Sequence, residues 1–152
     1  MSRRGGLAIA LVAMVLGAAQ FAQIRRTNPP VMGNLAAPAD VSKIIRNACY
    51  DCHSNETQWP WYSQIAPASW LAYRHVMEAR VRLNFSEWAD YGYDPGTEAH
   101  KLEEIEKLIR SGAMPPWYYR MMHARGRLTD AQRRTVLRWI AGEQSALAAK
   151  LR

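Results

Sequence analysis

The chain has 152 residues, two cysteines and a formal net charge of +7 at pH 7. That length holds one membrane segment and one domain of about 125 residues, with a core that is adequate but modest. The positive charge does not point to nucleic acid. Arg3, Arg4, Arg25 and Arg26 bracket an apolar N-terminal stretch, no acid precedes Asp40, and from residue 27 onward 16 basic residues face 13 acidic ones. No basic motif with interleaved aromatics accompanies them, which excludes nucleic acid as a partner.

Residues 7–24 read LAIALVAMVLGAAQFAQI, 18 residues without a charge. This is long for the apolar region of a signal peptide and at the short end for a spanning helix, which needs about 20 residues. Arg3 and Arg4 set the N-terminus in the cytoplasm, while Arg25 and Arg26 weaken that assignment or sit at the interface. Small residues at 17–19 would permit cleavage and release a soluble periplasmic form. Apolar character continuing to Ile24 favours an uncleaved anchor in the inner membrane instead. Either way the domain is exported. The expected organisation is a signal anchor or transmembrane helix over 1–26, a linker over 27–39 and a helical domain over 40–152.

Residues 27–38 (TNPPVMGNLAAP) are proline-rich and read as extended chain. Asp40 then caps a helix whose apolar positions Val41, Ile44, Ile45 and Ala48 follow the i, i+3, i+4, i+7 pattern. Residues 59–62 (WPWY) are aromatic and turn-like. A second helix is expected from near Pro67 to about Leu83, with Trp70, Leu71, His75 and Met77 on its apolar side. Ser86 caps a short turn around Glu87 and Trp88, and residues 91–96 form a loop. A third helix over 97–111 turns Leu102, Ile105, Leu108 and Ile109 inward and ends at Gly112. Thr129 with Gln132 forms a capping box that opens the last helix, which carries Val136, Leu137, Ile140 and Leu147 on one side. No run alternates as a strand does. The fold class is all-α.

Both cysteines fall in one string, Cys49-Tyr50-Asp51-Cys52-His53, which is C-x-x-C-H, the attachment pattern of c-type haem. Two thiols three positions apart on one helical turn can each add across a vinyl group of the same porphyrin. The histidine that follows then lies under the ring and can bind the iron. A thioredoxin-type dithiol would need βαβ surroundings, and the flanks are helical. A zinc site needs about four ligands, and no second cysteine pair exists. A simple disulfide is the remaining alternative. The cofactor expected is one covalent haem c.

Met114 is the leading candidate for the sixth iron position. It follows the helix-ending Gly112 and precedes Pro115-Pro116, so its backbone is already restricted. Filling a core gap is its alternative role. His75, on the second helix, and His123, after an aromatic and methionine cluster, are weaker candidates, and His100 reads as solvated. Trp59, Trp61, Tyr62 and Trp70 form an aromatic group that either packs the core or walls the porphyrin against water. Arg80, Asn84, Ser86 and Trp88 could hydrogen-bond the propionates. Equally, Arg80 could be an exposed helix-end charge and the stretch from Asn84 to Ser86 a helix cap. The run of eight basic residues over 120–152 is a solvated face by default, or a docking surface for an acidic redox partner or anionic lipid.

The strings CYDCHSNETQWPWYSQIAPASW, HVMEARVRLNFSEW, IRSGAMPPWYYRMMH and LTDAQRRTVLRWI together resemble the bacterial haem-binding domain family of small c-type cytochromes, over residues 28–140. Ala79 departs from the glycine expected there. The resemblance implies a compact, cytochrome c-like helical domain behind an N-terminal anchor, with Cys49, Cys52 and His53 in the family's haem motif. Met114-Pro115 is also similar to the distal-ligand loop of monohaem cytochromes c, which implies His53 and Met114 as the two axial ligands. The expected function is a membrane-anchored monohaem cytochrome c that passes single electrons to a redox partner in the periplasm. No acid/base pair or nucleophile triad suggests hydrolytic catalysis. The rivals are a sensor or enzyme with an open sixth iron site, and a subunit of a larger respiratory or dehydrogenase complex.

Overall fold

Apolar residues three and four apart dictate helix over most of the chain. The computed structural model, which describes residues 3–22 and 24–151, is all-α, with one isolated bridge pair, Gly33 and Glu87, and no strand among those residues. Its helices are α1 (Arg3–Ala19), α2 (Ala39–Ala48), α3 (Tyr50–His53), α4 (Ala68–Arg82), α5 (Trp88–Gly92), α6 (Pro95–Arg110), α7 (Trp117–Met122) and α8 (Asp130–Lys150), with 3-10 turns at Trp61–Gln64 and Ala124–Gly126.

The core lies where α8 meets α2 and α6, with α5 against α6. Val41 and Ile45 of α2, Leu102, Ile105 and Ile109 of α6, and Val136, Ile140 and Leu147 of α8 are all buried there. This follows the helical spacing, with one exception: Leu108 lies on the exposed side of α6. The caps are partly as expected. Thr129 accepts the Gln132 N–H and the Gln132 side chain accepts the Thr129 N–H, completing the capping box of α8. In α2 the cap position belongs to Pro38, and Asp40 falls inside the first turn, where a negative charge suits the helix dipole. In α6 the helix starts two residues earlier than expected, because Asp94 accepts the N–H groups of Gly96 and Thr97 and Pro95 supplies the first helical residue. Gly112, at φ +71°, leaves that helix through the left-handed region.

Helix α4 corrects the reading of its inner face. Ser69, Val76 and Arg80 are buried, whereas Trp70, Leu71, His75 and Met77 lie at the surface. Small side chains on the inner side let α3 approach the α4 backbone closely, and Arg80 is tolerated inside because carbonyl and hydroxyl acceptors meet it there.

Residues 26–35 are extended, and they are bound to the domain along their length. Asn28 donates to the Thr57 carbonyl (2.9 Å), Asn55 to the Pro30 carbonyl (2.8 Å), and the Met32, Gly33 and Leu35 N–H groups to the carbonyls of Ser86 (2.9 and 3.0 Å) and Phe85 (3.0 Å). Gly33 sits so close to Ala89 that a Cβ on it would overlap that side chain.

None of the described side chains of α1 is buried. No helix among the described residues is long and apolar enough to cross a membrane. The expected segment over 7–24 is helical only as far as Ala19, and Gln23 within it lies outside the described residues, as does Arg152 of the basic run. The stop has a cause in Gln20, whose amide donates to the Leu16 carbonyl (2.9 Å) and to the Ala66 carbonyl (3.0 Å), while its Oε1 accepts the Ala66 N–H (3.1 Å).

The division of α6 into two sides can be checked directly. Ile140→Ala, opposite α6 in the core, should lower the unfolding free energy in urea by about 2–5 kcal/mol. Leu108→Ala should change it by no more than about 0.5 kcal/mol.

Candidate functional site

Helix α2 ends at Ala48, and Cys49 serves as hinge into the single turn of α3, its N–H still held by Ile45 (2.8 Å). The N–H groups of Cys52 (3.2 Å) and His53 (2.9 Å) both donate to the Cys49 carbonyl. One turn therefore carries all three motif side chains. Ser54 leaves that turn in extended conformation, its hydroxyl donating to the Tyr50 carbonyl (2.7 Å) and accepting the Glu56 N–H (2.9 Å).

The imidazole of His53 is fixed by the end of α4. Its Nδ1 lies 3.1 Å from the Ala79 carbonyl oxygen and 3.1 Å from that of Leu83. Carbonyls only accept, so Nδ1 carries the proton and Nε2 keeps its lone pair. The Leu83 carbonyl is one of the acceptors a helix leaves unmatched at its C-terminus. Burial holds the His53 pKa below the ordinary histidine value, against the pull of the two carbonyls. The ring is thus neutral, oriented and in the tautomer a metal ligand requires. Phe85 closes its edge at 6.5 Å and stacks in turn between Tyr50 (5.5 Å) and Trp88 (5.8 Å).

Both cysteines are free thiols. Burial pushes the Cys49 thiol up to about 12, and Cys52 beside it adds to the shift. Burial likewise raises Cys52 to about 11, with the Asp51 carboxylate adding and Arg80 opposing. A redox dithiol works through a depressed thiol pKa. These thiols are set the other way.

Asp51, inside the motif, accepts the Gln58 N–H (3.1 Å) and the Tyr119 hydroxyl (2.7 Å), which fastens α7 to the motif turn. Burial, and then the bond to Asp51, push the Tyr119 phenol far above its ordinary range. Its ring stacks on His123 at 4.1 Å and fills the space over Gly126, where a Cβ would overlap it. His123 reaches the Tyr62 hydroxyl at 3.4 Å. A cleft of about 350 Å³ beside the motif is lined by Asp51, Tyr119, His123, Arg46 and Arg125, among others.

The expected site residues are dispersed around this turn. Met114 is half-buried in the loop between α6 and α7, its N–H held by the Leu108 carbonyl (3.2 Å), and the loop leads into the helix that Tyr119 ties down. Trp59 stacks on Tyr73 (6.4 Å) and donates to Asn28 (3.2 Å), and the exposed Trp61 meets Tyr62 edge-on (5.9 Å). Trp70 points elsewhere, its indole N–H donating to the Ala22 carbonyl (3.0 Å) just beyond α1. Arg80 is not an exposed helix-end charge. Its guanidinium is buried and donates to Ser54 O (2.8 Å), Thr27 O (3.1 Å), Asn28 Oδ1 (2.9 Å) and Thr57 Oγ1 (2.9 Å), and burial lowers its pKa. Asn84 is buried with it, donating to Asn55 (2.9 Å) and accepting the Ser86 N–H (3.1 Å). His75 is at the surface, 5.4 Å from the Tyr118 ring. Sequence reasoning missed Asp51 and Tyr119. Only their pairing, 68 positions apart, reveals their role.

The residues fit a haem: one turn carries a neutral imidazole whose Nε2 lone pair would bind the iron and two thiols that would bond to the porphyrin's vinyl groups. The family model described as haem-binding domain matches residues 14–142. The chain belongs to the haem-binding domain family. The match begins inside α1, earlier than the resemblance over 28–140. The chain is also similar to the cytochrome c peroxidase Ccp of Escherichia coli (strain K12), at 25% identity over 120 residues, which is 72% of this chain and 25% of that protein. It spans about a quarter of that curated relative's length. No solved structure matches.

The raised thiols give a direct test. In the folded, haem-free protein at pH 8, Cys49 and Cys52 should react with iodoacetamide on the order of 100-fold more slowly than in urea, since the thiolate fraction falls tenfold per pKa unit. Alkylation at equal rates in both states would contradict the raised thiol pKa values of the half-buried cysteines.

Proposed function

We propose that this haem-binding domain is a monohaem c-type cytochrome that carries single electrons on the periplasmic side of the inner membrane. The observation that carries the reading is His53 Nδ1 bonded to two α4 carbonyls, on the turn that also presents Cys49 and Cys52. Cys49 and Cys52 would hold the haem through its two vinyl groups, each addition placing sulfur and proton across one double bond with no leaving group. His53 Nε2 and Met114 Sδ would supply the two protein donors to the iron. Bound haem supplies a one-electron couple, and His/Met ligation raises its potential relative to histidine alone. The chain's residues do the rest. The α4 carbonyls keep Nδ1 protonated through the redox cycle, and the Arg80 charge beside Cys52 favours the less positive, reduced state. Trp59 and Trp61 are candidates to shield the ring edge. The α1 segment, which opens with Arg3 and Arg4, lodges the chain in the membrane. The redox partner docks on the domain outside it.

The likeness to a quarter of a cytochrome c peroxidase favours a second reading, in which the iron keeps an open or labile sixth position and reacts with peroxide. Spectroscopy separates the two. For the electron carrier, haem should remain on the polypeptide after acid-acetone extraction, and Cys49→Ala/Cys52→Ala should abolish that retention. The oxidised protein should be low-spin with the weak far-red sulfur-to-iron band. Met114→Ala should remove that band and admit cyanide, while His75→Ala, at the surface, should leave it intact. A high-spin wild type that reacts with peroxide would select the second reading.

The anchor is tested separately. Native protein should stay with the membrane fraction through a high-salt wash and retain its N-terminal sequence. A soluble mature form beginning near Gln20 would show cleavage instead.

A further inference from the structure

The end of α1 is attached to one edge of the haem domain. The Gln20 amide exchanges hydrogen bonds with both backbone groups of Ala66, the Ala22 carbonyl accepts the Trp70 indole N–H, and Arg26 donates to the Ser63 carbonyl at 3.0 Å. Residues 20, 22 and 26 are therefore bound along the segment from the 3-10 turn Trp61–Gln64 to the first turn of α4. Around that junction the surface is apolar: Phe21 is 90% exposed and Leu71 57%, with Ile65 and Trp70 also exposed and Arg25 at the margin. The patch continues directly into α1, whose large apolar side chains from Leu7 to Leu16 are between 48% and 68% exposed.

From this continuity we infer that the haem domain lies on the membrane through the face formed by Phe21, Ile65, Trp70 and Leu71, which enters the lipid interface beside the anchor. The inference rests on the anchor reading given above. Length supplies the physical argument. A helix of 17 residues is about 25 Å long at ~1.5 Å per residue, against a hydrocarbon layer of about 30 Å. A short span draws its flanking residues toward the bilayer. Here those flanking residues are hydrogen-bonded to Ala66 and Trp70, so the domain edge is drawn in with them. Its chemistry suits that layer. Trp70 has its indole N–H already satisfied by Ala22, so its ring can meet acyl chains without an orphaned donor. A domain held by one edge keeps a constant tilt, and with it a constant haem height above the bilayer.

The test uses the full-length, haem-loaded protein in phosphatidylethanolamine/phosphatidylglycerol vesicles containing a phosphatidylcholine with a diazirine on its upper acyl carbons. After illumination, lipid adducts are mapped by peptide mass spectrometry. Adducts are expected on α1 and on the peptide spanning 65–71. Ile65→Ser/Leu71→Ser should lose the second set and keep the first, with the haem spectrum confirming a folded domain. Adducts on α1 with none at 65–71 would overturn the docking face and leave the anchor standing. No adducts on α1 would remove the anchor reading and this inference with it. Adducts at 65–71 unchanged in the double variant would overturn the face, as would protein–protein crosslinks there in place of lipid.

Discussion

The site depends on the pair of hydrogen bonds from His53 Nδ1 to the carbonyls of Ala79 and Leu83. Unligated histidines interconvert between tautomers and rotate about χ2. A helix terminus removes both freedoms, because it offers acceptors only and offers them from fixed positions. The bonds require the α3 turn to lie close over the last turn of α4, which explains why the inner side of α4 carries Ser69, Ala72, Val76 and Ala79 rather than large aliphatic groups. They also require the chain to turn sharply after His53, which the Ser54 hydroxyl arranges and the Phe85 N–H to His53 carbonyl bond (2.7 Å) secures.

From that fixed ring the other constraints follow. Cys49 and Cys52 are placed by the same turn, so their burial comes with the placement of His53, and their raised pKa values are a consequence of position. Asp51 sits between them and faces the opposite side, where Tyr119 reaches it. This bond joins the first third of the chain to α7 and so fixes the element into which the Met114 loop runs. An unfavourable change at Gly126, beneath the Tyr119 ring, would reach the motif through the same bond.

Much of this was legible in the sequence. The C-x-x-C-H string pointed to haem, in line with the family match, and helical spacing found α2, α6 and α8 with their buried residues, because those helices bury a regular aliphatic stripe. The capping box at Thr129 and the exit at Gly112 were equally readable, being local. Helix α4 was misread because its inner face is small and polar, so periodicity of large apolar residues selected Trp70, Leu71, His75 and Met77, which lie at the surface. Helix α7 left no clear signal in six residues. Arg80 was left between an exposed charge and a propionate ligand, because nothing local shows that Thr27, Asn28, Ser54 and Thr57 converge on it. Residues 27–38 were read as an extended linker, yet the attachment of 26–35 to the domain depends on partners some 20 to 60 positions away, which no local pattern encodes.

The domain divides into an apolar half and a polar half, and the division has a purpose. Helices α2, α5, α6 and α8 bury aliphatic and aromatic surface, which supplies cohesion without direction. Ser54, Asn55, Thr57, Ser63, Ser69, Arg80, Asn84 and Ser86 are buried together around the motif and residues 26–35. Hydrogen bonds act along defined directions and are costly to leave unmade. An apolar packing could bring His53 within a few ångströms of its working position, but it could not choose its tautomer or hold the extended segment of residues 26–35 in place. Arg80 is the clearest instance: a buried cation whose four hydrogen bonds all go to uncharged acceptors, drawn from residues 27, 28, 54 and 57. Its desolvation is offset only when all three segments are in place at once, so it rewards the complete arrangement and none of its parts. The C-x-x-C-H turn is thereby coupled to the chain that leads out of α1, and the orientation of His53 to the binding of residues 26–35.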